Sequence, residues 1–198
     1  MTIGFIFECG PQGADKQVVE YLASKLRPGS KIVSSTMDNK PNLLGNAATV
    51  AAALLADGCE RVLIVWDLRP AWPDKDNKPC RAEERRGLLE ALANAGLKGR
   101  PVHLICVEQE LESWLLADET KLEMFLSTDT RPYSIGRVRR PDQVPNPKAA
   151  VMNHFRAARG WRYEDRVHAG KVVRQGEPDW ARLRRSPSFA RFEAKLTA

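Results

Sequence analysis

The sequence has few cysteines, and they are not spaced as metal or disulfide sites require. Its 198 residues include only four cysteines, none of them in a CxxC pair. This scattering argues against a zinc knuckle and against the disulfide framework of a small secreted domain. We therefore expect four reduced thiols and a chain that works in a reducing compartment.

Long apolar runs are also missing. No segment approaches the roughly 20 apolar residues that a membrane-spanning helix needs. The opening residues, MTIGFIFECGPQG, are apolar but lack the basic start and long apolar region of a signal peptide, so they predict a strand. We expect a cytoplasmic protein without membrane contact.

Three common catalytic motifs are absent as well. The loop GPQGAD lacks the GK[ST] ending of a P-loop, no Gly-x-Ser-x-Gly elbow occurs, and none of the three histidines belongs to an HExxH pair. These absences remove the simplest ATPase, serine hydrolase and zinc protease interpretations.

The sequence does contain a regular alternation of strand-like and helical segments. The apolar runs IGFIFE, KIVSST, RVLIVWD and PVHLICV predict four strands, and the segments between them have helical apolar spacing. One continuous helix is predicted over residues 110–126. Such alternation is typical of an α/β fold with a Rossmann-like parallel sheet and helices on both faces. We predict this core over residues 1–126 and a mainly helical extension, packed on the core, over residues 127–198.

Positive charge is concentrated in that extension. Residues 131–198 contain 16 Lys and Arg against 6 Asp and Glu, whereas the rest of the chain has 15 against 19. A basic segment of this kind is either a phosphate-backbone contact surface or an arginine-rich solvated surface. The candidate nucleic-acid contacts are Arg69, Arg137, Arg139, Arg140, Lys148, Arg162, Arg184 and Arg185. Trp161 and Tyr163 lie among arginines and either stack on unpaired bases or anchor the tail.

Carboxylates follow three of the predicted strands. Glu8, Asp67 and Glu108 stand at the strand ends, and Glu112 lies one helical turn beyond Glu108. The carboxyl ends of parallel strands meet in one crevice, where clustered acids favour a hard cation such as Mg²⁺ or Mn²⁺. The alternative is that each acid is solvated or caps the following helix.

Several strings resemble one family. FECGPQGADKQVVEYLASKL is similar to the Glu-Gly-x-x-Asp opening of TOPRIM domains, and VLIVWD is similar to their strand ending in Asp-x-Asp. EQELESWLLAD resembles the Glu-x-Trp-Leu-Leu-x-Asp signature of the DUF4276 family of TOPRIM-like proteins, and SPSFARFEAKL resembles its closing segment.

The resemblance implies a TOPRIM-like, Mg²⁺- or Mn²⁺-dependent nuclease-type protein of bacterial defence or mobile-element systems, with an ATPase partner subunit. It implies that Glu8 is a general acid/base or ligand, Asp67 a metal ligand, and Glu112 a further ligand or positioning group. Asp118 also belongs to the signature, where its place along the helix suits bonding of an adjacent loop.

The chain departs from the TOPRIM pattern at two positions. Cys9 follows Glu8 where glycine is expected, and Arg69 stands where the second acid of Asp-x-Asp is expected. Either Asp74 or Asp76 supplies the missing acid, or the site binds a single ion, or the pocket serves another purpose. The alternatives are a catalytically degenerate module that binds nucleic acid or a partner, and a nucleotide phosphotransfer enzyme.

Overall fold

Four short parallel strands form one sheet in the computed structural model, which describes residues 1–70 and 78–198. The strands are β1 (Thr2–Phe7), β2 (Lys31–Thr36), β3 (Arg61–Asp67) and β4 (Val102–Val107). Their order across the sheet is β2-β1-β3-β4. Phe7 pairs with Val65 and Asp67 pairs with Val107, so the strands end at one edge. The predicted four-stranded parallel sheet is confirmed.

Helices follow the strands and then form the rest of the chain. They are α1 (Ala14–Leu26), α2 (Lys40–Ala56), α3 (Arg81–Asn94), α4 (Glu112–Ala117), α5 (Glu119–Leu126), α6 (Pro147–Arg159), α7 (Asp165–Val173), α8 (Trp180–Leu183) and α9 (Pro187–Thr197), with a 3-10 turn at Pro141–Gln143. None of the helices in the described ranges is long and apolar enough to cross a membrane.

The prediction of one continuous helix over residues 110–126 is wrong. Asp118 has φ −101° and ψ 64°, outside the helical region, and separates α4 from α5. Its carboxylate Oδ2 accepts a hydrogen bond from the backbone N–H of Asp179 at 3.0 Å. The aspartate therefore connects the helix break to the loop before α8, which is the structural role that its position suggested.

Side chains alternate between the two faces of the sheet. Ile3, Phe5 and Phe7 of β1 face a large apolar core formed with α1 and the helices from α4 onward. Ile6 faces the opposite side, in a smaller core formed with α2 and α3. Helices on both faces bury β1 and β3 almost completely, which explains their continuous apolar sequences, whereas β2 at the sheet edge is only partly buried.

The C-terminal helices share the larger core with the sheet. Trp114 packs edge-on against Phe189 with ring centroids 5.3 Å apart, and its indole N–H donates to Ser188 Oγ at 2.8 Å. Leu183 and Phe192 are also buried there, and Trp180 packs against its margin. Helices α4 and α6 are thereby held beside the carboxyl edge of the sheet, where the candidate site lies.

Candidate functional site

The strand order places a crevice between β1 and β3. From β1 the chain passes to β2 on one side, and from β3 it passes to β4 on the other. Ligands in open α/β sheets bind at such a switch point, outside the carboxyl ends of the strands. Glu8 directly follows β1 and Asp67 ends β3, so both residues stand at this switch point.

The crevice beside these two residues has a volume of about 160 Å³ and is strongly acidic. Its charged lining consists of six carboxylates and two cations, Asp15, Asp38, Asp67, Glu110, Glu112, Asp165, Lys148 and Arg166. The negative charges outnumber the positive ones threefold, although several of the acids are buried. We call this set the acidic crevice.

Burial raises the pKa values of four acids at or beside the crevice because water no longer stabilises the charged form. It raises the pKa of Glu8 and of Glu112 to about 7, and that of Asp15 to about 6. It also raises the pKa of Asp67 well above the ordinary value, with Asp15 and Glu8 adding repulsion. The acidic crevice is therefore short of positive charge.

Two carboxylate oxygens of the site have no hydrogen-bond partner in the described residues. They are Glu8 Oε2 and Asp67 Oδ1, and both are buried. The other Asp67 oxygen, Oδ2, accepts from the backbone N–H of Leu111 at 3.2 Å. Buried oxygens without partners are costly, so each is a free ligand position for a cation.

Glu112 is positioned by a tyrosine. The Tyr163 hydroxyl donates to Glu112 Oε1 at 3.0 Å, and both side chains are buried. Burial, reinforced by the Glu112 charge, raises the pKa of Tyr163 well above its ordinary value, so it remains a proton donor. Tyr163 is thus a supporting residue of the site and is not free to stack on a base.

Lys148 reaches the crevice from the first turn of α6. Its Nζ lies 2.6 Å from Asp165 Oδ2 in an ion pair. Burial opposes its charge, but the hydrogen bond to Asp165 and attraction to Glu112 outweigh this and raise the pKa of Lys148. The same hydrogen bond lowers the pKa of Asp165 against the effect of burial. An ammonium group is therefore fixed beside the acids.

The loop between β1 and α1 closes tightly around the crevice. The Gly13 N–H donates to the Gly10 carbonyl at 2.8 Å, and a Cβ at Gly13 would lie 2.3 Å from Cys9 Sγ, so a side chain does not fit there. Burial, together with the charge of the nearby Asp15, raises the pKa of the Cys9 thiol. Cys9 is therefore a protonated packing residue.

A family model described as "Domain of unknown function (DUF4276)" matches residues 14–197. The chain belongs to the DUF4276 family. No curated protein and no solved structure matches it.

The DUF4276 signature at residues 112–118 serves three separate purposes in the structure. Glu112 faces the acidic crevice, Trp114 fills the larger core, and Asp118 breaks the helix and bonds the loop before α8. Only the first of the three residues therefore lies at the candidate site.

Glu108, the fourth predicted metal ligand, lies outside the crevice. Its Oε1 forms ion pairs with Arg81 and, at 2.8 Å, with Arg191. Arg69, which stands where an acid was expected, is exposed and is not among the residues lining the acidic crevice. The suggested substitutes Asp74 and Asp76 lie outside the described residues. Of the predicted set, Asp67 and Glu112 line the acidic crevice. Glu8 does not line it, but it lies close enough to Asp67 to raise the pKa of that carboxyl.

The predicted nucleic-acid contacts do not form one patch. Arg185 is mostly buried in an ion pair with Glu119, and Arg184 pairs with Glu193 at 2.7 Å. The other predicted arginines are exposed, namely Arg137, Arg139, Arg140 and Arg162. Lys148 alone of the predicted cations lines the acidic crevice.

Sequence reasoning missed six charged residues at or behind the crevice. Asp15, Asp38, Glu110, Asp165 and Arg166 line it. The buried Lys40 attracts Glu8, which lowers the Glu8 pKa against the effect of burial. Asp15 had a weak signal, since it is the first acid after Glu8 in the string that resembles the TOPRIM opening. Asp38 and Asp165 stand outside every motif, and only the fold brings them to the site.

The donor set suits a hard divalent cation, although the ligands are not gathered into a coordination sphere. The donors are carboxylate oxygens, and two of them are buried without partners. Among the residues that the structure describes, no three His, Cys, Asp or Glu side chains are close enough together to hold a metal ion. Binding would therefore draw the carboxylates inward.

Replacing Glu112 with glutamine is expected to stabilise the protein above neutral pH. With a folded-state pKa of about 7 against 4.5 unfolded, the folded chain keeps a proton that the unfolded chain releases. Stability then falls as the pH rises through this interval. Glutamine does not ionise and still accepts from Tyr163. At about pH 8 in EDTA we expect a gain on the order of 1–3 kcal/mol, or about 2–12 °C in Tm.

The measurement is calorimetry at about pH 8 and about pH 4.5, where most of the gain should vanish because the folded carboxyl is protonated and the unfolded one, with a pKa of 4.5, is about half protonated. Glu108→Gln is the matched control, because it removes an acid of the same type from surface ion pairs. An equal Tm for wild type and Glu112→Gln at the higher pH would contradict the assignment.

Proposed function

We propose that this chain is a TOPRIM-like, metal-dependent nuclease-type protein that cleaves phosphodiester bonds of nucleic acid in the cytoplasm. The observation that carries the proposal is the acidic crevice at the switch point of the sheet, with two unpartnered buried carboxylate oxygens and a lysine beside them. The four free cysteines are consistent with a reducing compartment.

Glu8, Asp67 and Glu112 are the residues that would hold Mg²⁺ or Mn²⁺. The unpartnered Oε2 of Glu8 and Oδ1 of Asp67 are free to coordinate, and Glu112 lines the same crevice. A bound divalent cation would supply Lewis-acid polarisation of a phosphoryl oxygen and neutralise the acids. Asp15 is close enough to raise the Asp67 pKa, so it adds negative charge behind the ligands.

The remaining residues of the crevice orient and balance these groups. Tyr163 holds the Glu112 carboxylate through its hydroxyl. Lys148 Nζ, paired with Asp165, is placed to bind a non-bridging phosphate oxygen as its negative charge grows during cleavage. Lys40 Nζ donates to the carbonyl oxygens of Leu68 and Pro70 at 3.0 Å, fixing the chain that follows Asp67.

A second candidate is a TOPRIM-like module that binds nucleic acid without cutting it. Two observations favour it. No metal-binding group is formed within the described residues, and Arg69 replaces the second acid of the TOPRIM pair. The two candidates differ in whether the acidic crevice binds a metal.

Metal binding is the first test. At about pH 8, saturating Mn²⁺ is expected to raise the Tm of the wild-type protein by about 5–10 °C, since a ligand at 100 times its Kd stabilises by about 2.7 kcal/mol. Glu8→Gln should lose most of this shift because it removes a ligand oxygen and a buried charge. Glu108→Gln should keep it, because Glu108 lies outside the crevice.

Cleavage is the second test. The purified protein is incubated with single- and double-stranded DNA and RNA in Mg²⁺, Mn²⁺ or EDTA. We expect cutting with either cation and none with EDTA. Metal-dependent cutting that persists in Glu8→Ala would overturn the site assignment. A protein that binds nucleic acid in a salt-dependent manner and cuts none of the substrates would instead be the binding module.

A further inference from the structure

Trp161 is the exposed tryptophan of the described chain. Its side chain is 45% exposed, whereas Trp66 and Trp114 are buried and Trp180 packs against the larger core. A large aromatic surface open to water costs hydrophobic free energy, and exposed apolar side chains of this size often mark binding sites. Trp161 therefore calls for an explanation that core packing does not provide.

The backbone on both sides holds Trp161 in place. Helix α6 ends at Gly160, whose φ of 69° is in the left-handed region that glycine adopts without strain. Two residues later Tyr163 is buried, with its ring 5.0 Å from that of Phe155 and its hydroxyl bonded to Glu112. Trp161 is thus presented between a fixed helix end and a fixed tyrosine.

Arginines surround the exposed ring. The guanidinium carbon of Arg159 lies 4.4 Å from the Trp161 ring centroid, so the ring is stacked on one side. A cavity of about 190 Å³ beside the ring is lined by Met152, Arg156, Gly160, Trp161, Arg162 and Tyr163. No acidic side chain of the described residues lines it, and neither Arg156 nor Arg162 forms an ion pair there.

We propose that Trp161 stacks on an unpaired base of single-stranded nucleic acid, while Arg156 and Arg162 bind the adjoining phosphates. The face of an aromatic ring can stack on any base, and arginines outside ion pairs neutralise the phosphate backbone. Proteins that bind single-stranded nucleic acid commonly combine these two features. This inference rests on the proposed function, whose substrate class it names. The arginines attract phosphates and acidic side chains alike, and the exposed Trp161 ring, which offers a flat face for a base, favours single-stranded nucleic acid.

One buried residue connects this cavity to the acidic crevice. Tyr163 lines the cavity beside Trp161, and its hydroxyl reaches Glu112 at the crevice. A nucleic-acid strand held at Trp161 is therefore next to Tyr163, whose hydroxyl positions the candidate metal ligand Glu112. Stacking would fix the position of the strand relative to the site independently of base identity.

The test is equilibrium binding in EDTA, which prevents metal-dependent cleavage. Fluorescence anisotropy is measured with a labelled oligothymidine and with an abasic oligomer of the same length. Trp161→Ala is expected to weaken oligothymidine binding about tenfold and to leave abasic binding unchanged, as loss of one stacked base predicts. Trp161→Phe should restore most of the affinity. Leu89→Ala, which removes another exposed apolar side chain from α3, should bind like wild type.

Equal affinity of wild type and Trp161→Ala for oligothymidine would overturn the inference and reassign this surface to another kind of partner. An equal loss with the thymidine and abasic oligomers would also overturn it, since the effect would then not be stacking. Because binding is measured without metal, neither result decides whether the protein cleaves nucleic acid, which the cleavage experiment tests separately. Trp161-dependent binding by a protein that does not cut would support the inference while the nuclease proposal fails.

Discussion

Asp67→Asn is expected to lower Mg²⁺-dependent cleavage about 10³-fold or more. Asp67 ends the central strand β3, and its Oδ1 is buried without a hydrogen-bond partner in the described residues. Its other oxygen accepts from the Leu111 N–H, a contact that asparagine keeps. The substitution thus removes the charge of the side chain and retains its shape. The loss of cleavage rate therefore measures the contribution of Asp67 as a metal ligand. A metal centre contributes several kcal/mol to catalysis, which corresponds to this change in rate.

Asp118→Asn is the matched control for this experiment. Asp118 is also a buried aspartate with one unpartnered oxygen, Oδ1, and with the other bonded to a backbone N–H. It lies at the break between α4 and α5 and does not line the acidic crevice. Asp118→Asn should therefore cut at nearly the wild-type rate, with at most a change in stability.

Single-turnover cleavage rates with saturating Mg²⁺ provide the measurement, and calorimetry checks that both variants are folded. Asp67→Asn should itself be folded and somewhat more stable above neutral pH without metal, because an acid with a raised pKa has been removed. Comparable rates for Asp67→Asn and wild type would show that the acidic crevice does not catalyse the reaction. Comparable losses in both aspartate variants would point to a structural cause.

The strands and the sheet were predictable because their signal is local. A buried parallel strand needs apolar residues on both faces, and RVLIVWD supplies them without interruption. The helix break at Asp118 was not predictable in this way, since the apolar stripe continues through it. The break is stabilised by a hydrogen bond from Asp179, 61 residues along the chain, and only the folded structure shows that contact.

The candidate site was predictable only in part, for a related reason. Glu8 and Asp67 follow strands, and strand ends converge in any parallel sheet, so topology brings them together. Glu108 also follows a strand, but β4 is at the sheet edge, and Arg81 and Arg191 pair with its carboxylate. Asp165 reaches the crevice because α7 packs beside α1, a contact that no strand-end rule predicts.

The basic extension illustrates what charge counting leaves out. A sequence shows that an arginine is present but not whether it faces solvent or is neutralised by an acid. Arg162 is exposed beside Trp161, whereas Arg185 has a side chain only 13% exposed and pairs with the buried Glu119. The excess of positive charge therefore includes residues that hold the fold together, and Arg185 is the clearest example.

Arg185→Ala is accordingly expected to destabilise the protein by about 3 kcal/mol or more, and to lower its Tm by about 6–12 °C. The guanidinium donates to the carbonyl oxygens of Val138, Ala117 and Arg182 as well as to Glu119. Removing it takes a donor from the carbonyl oxygens of Val138 and Ala117, while the Arg182 carbonyl still accepts from the backbone N–H of residue 185. It also leaves a carboxylate that is 2% exposed with only the partly exposed Arg182 as a partner. Urea denaturation measures the free energy of unfolding directly.

Arg184→Ala removes the same charge from the neighbouring position. Comparing the two variants therefore separates a structural role of Arg185 from a role in binding nucleic acid. Its side chain is 52% exposed and pairs with Glu193 at the surface, so its loss should cost less than about 1 kcal/mol. If Arg185 is structural, Glu119→Gln combined with Arg185→Ala should recover part of the lost stability, because the stranded carboxylate is gone. Equal unfolding free energies for the two single variants would instead contradict a structural role and support the prediction that Arg185 contacts nucleic acid. The binding of oligothymidine by folded Arg185→Ala should then fall, whereas a structural Arg185 predicts unchanged affinity.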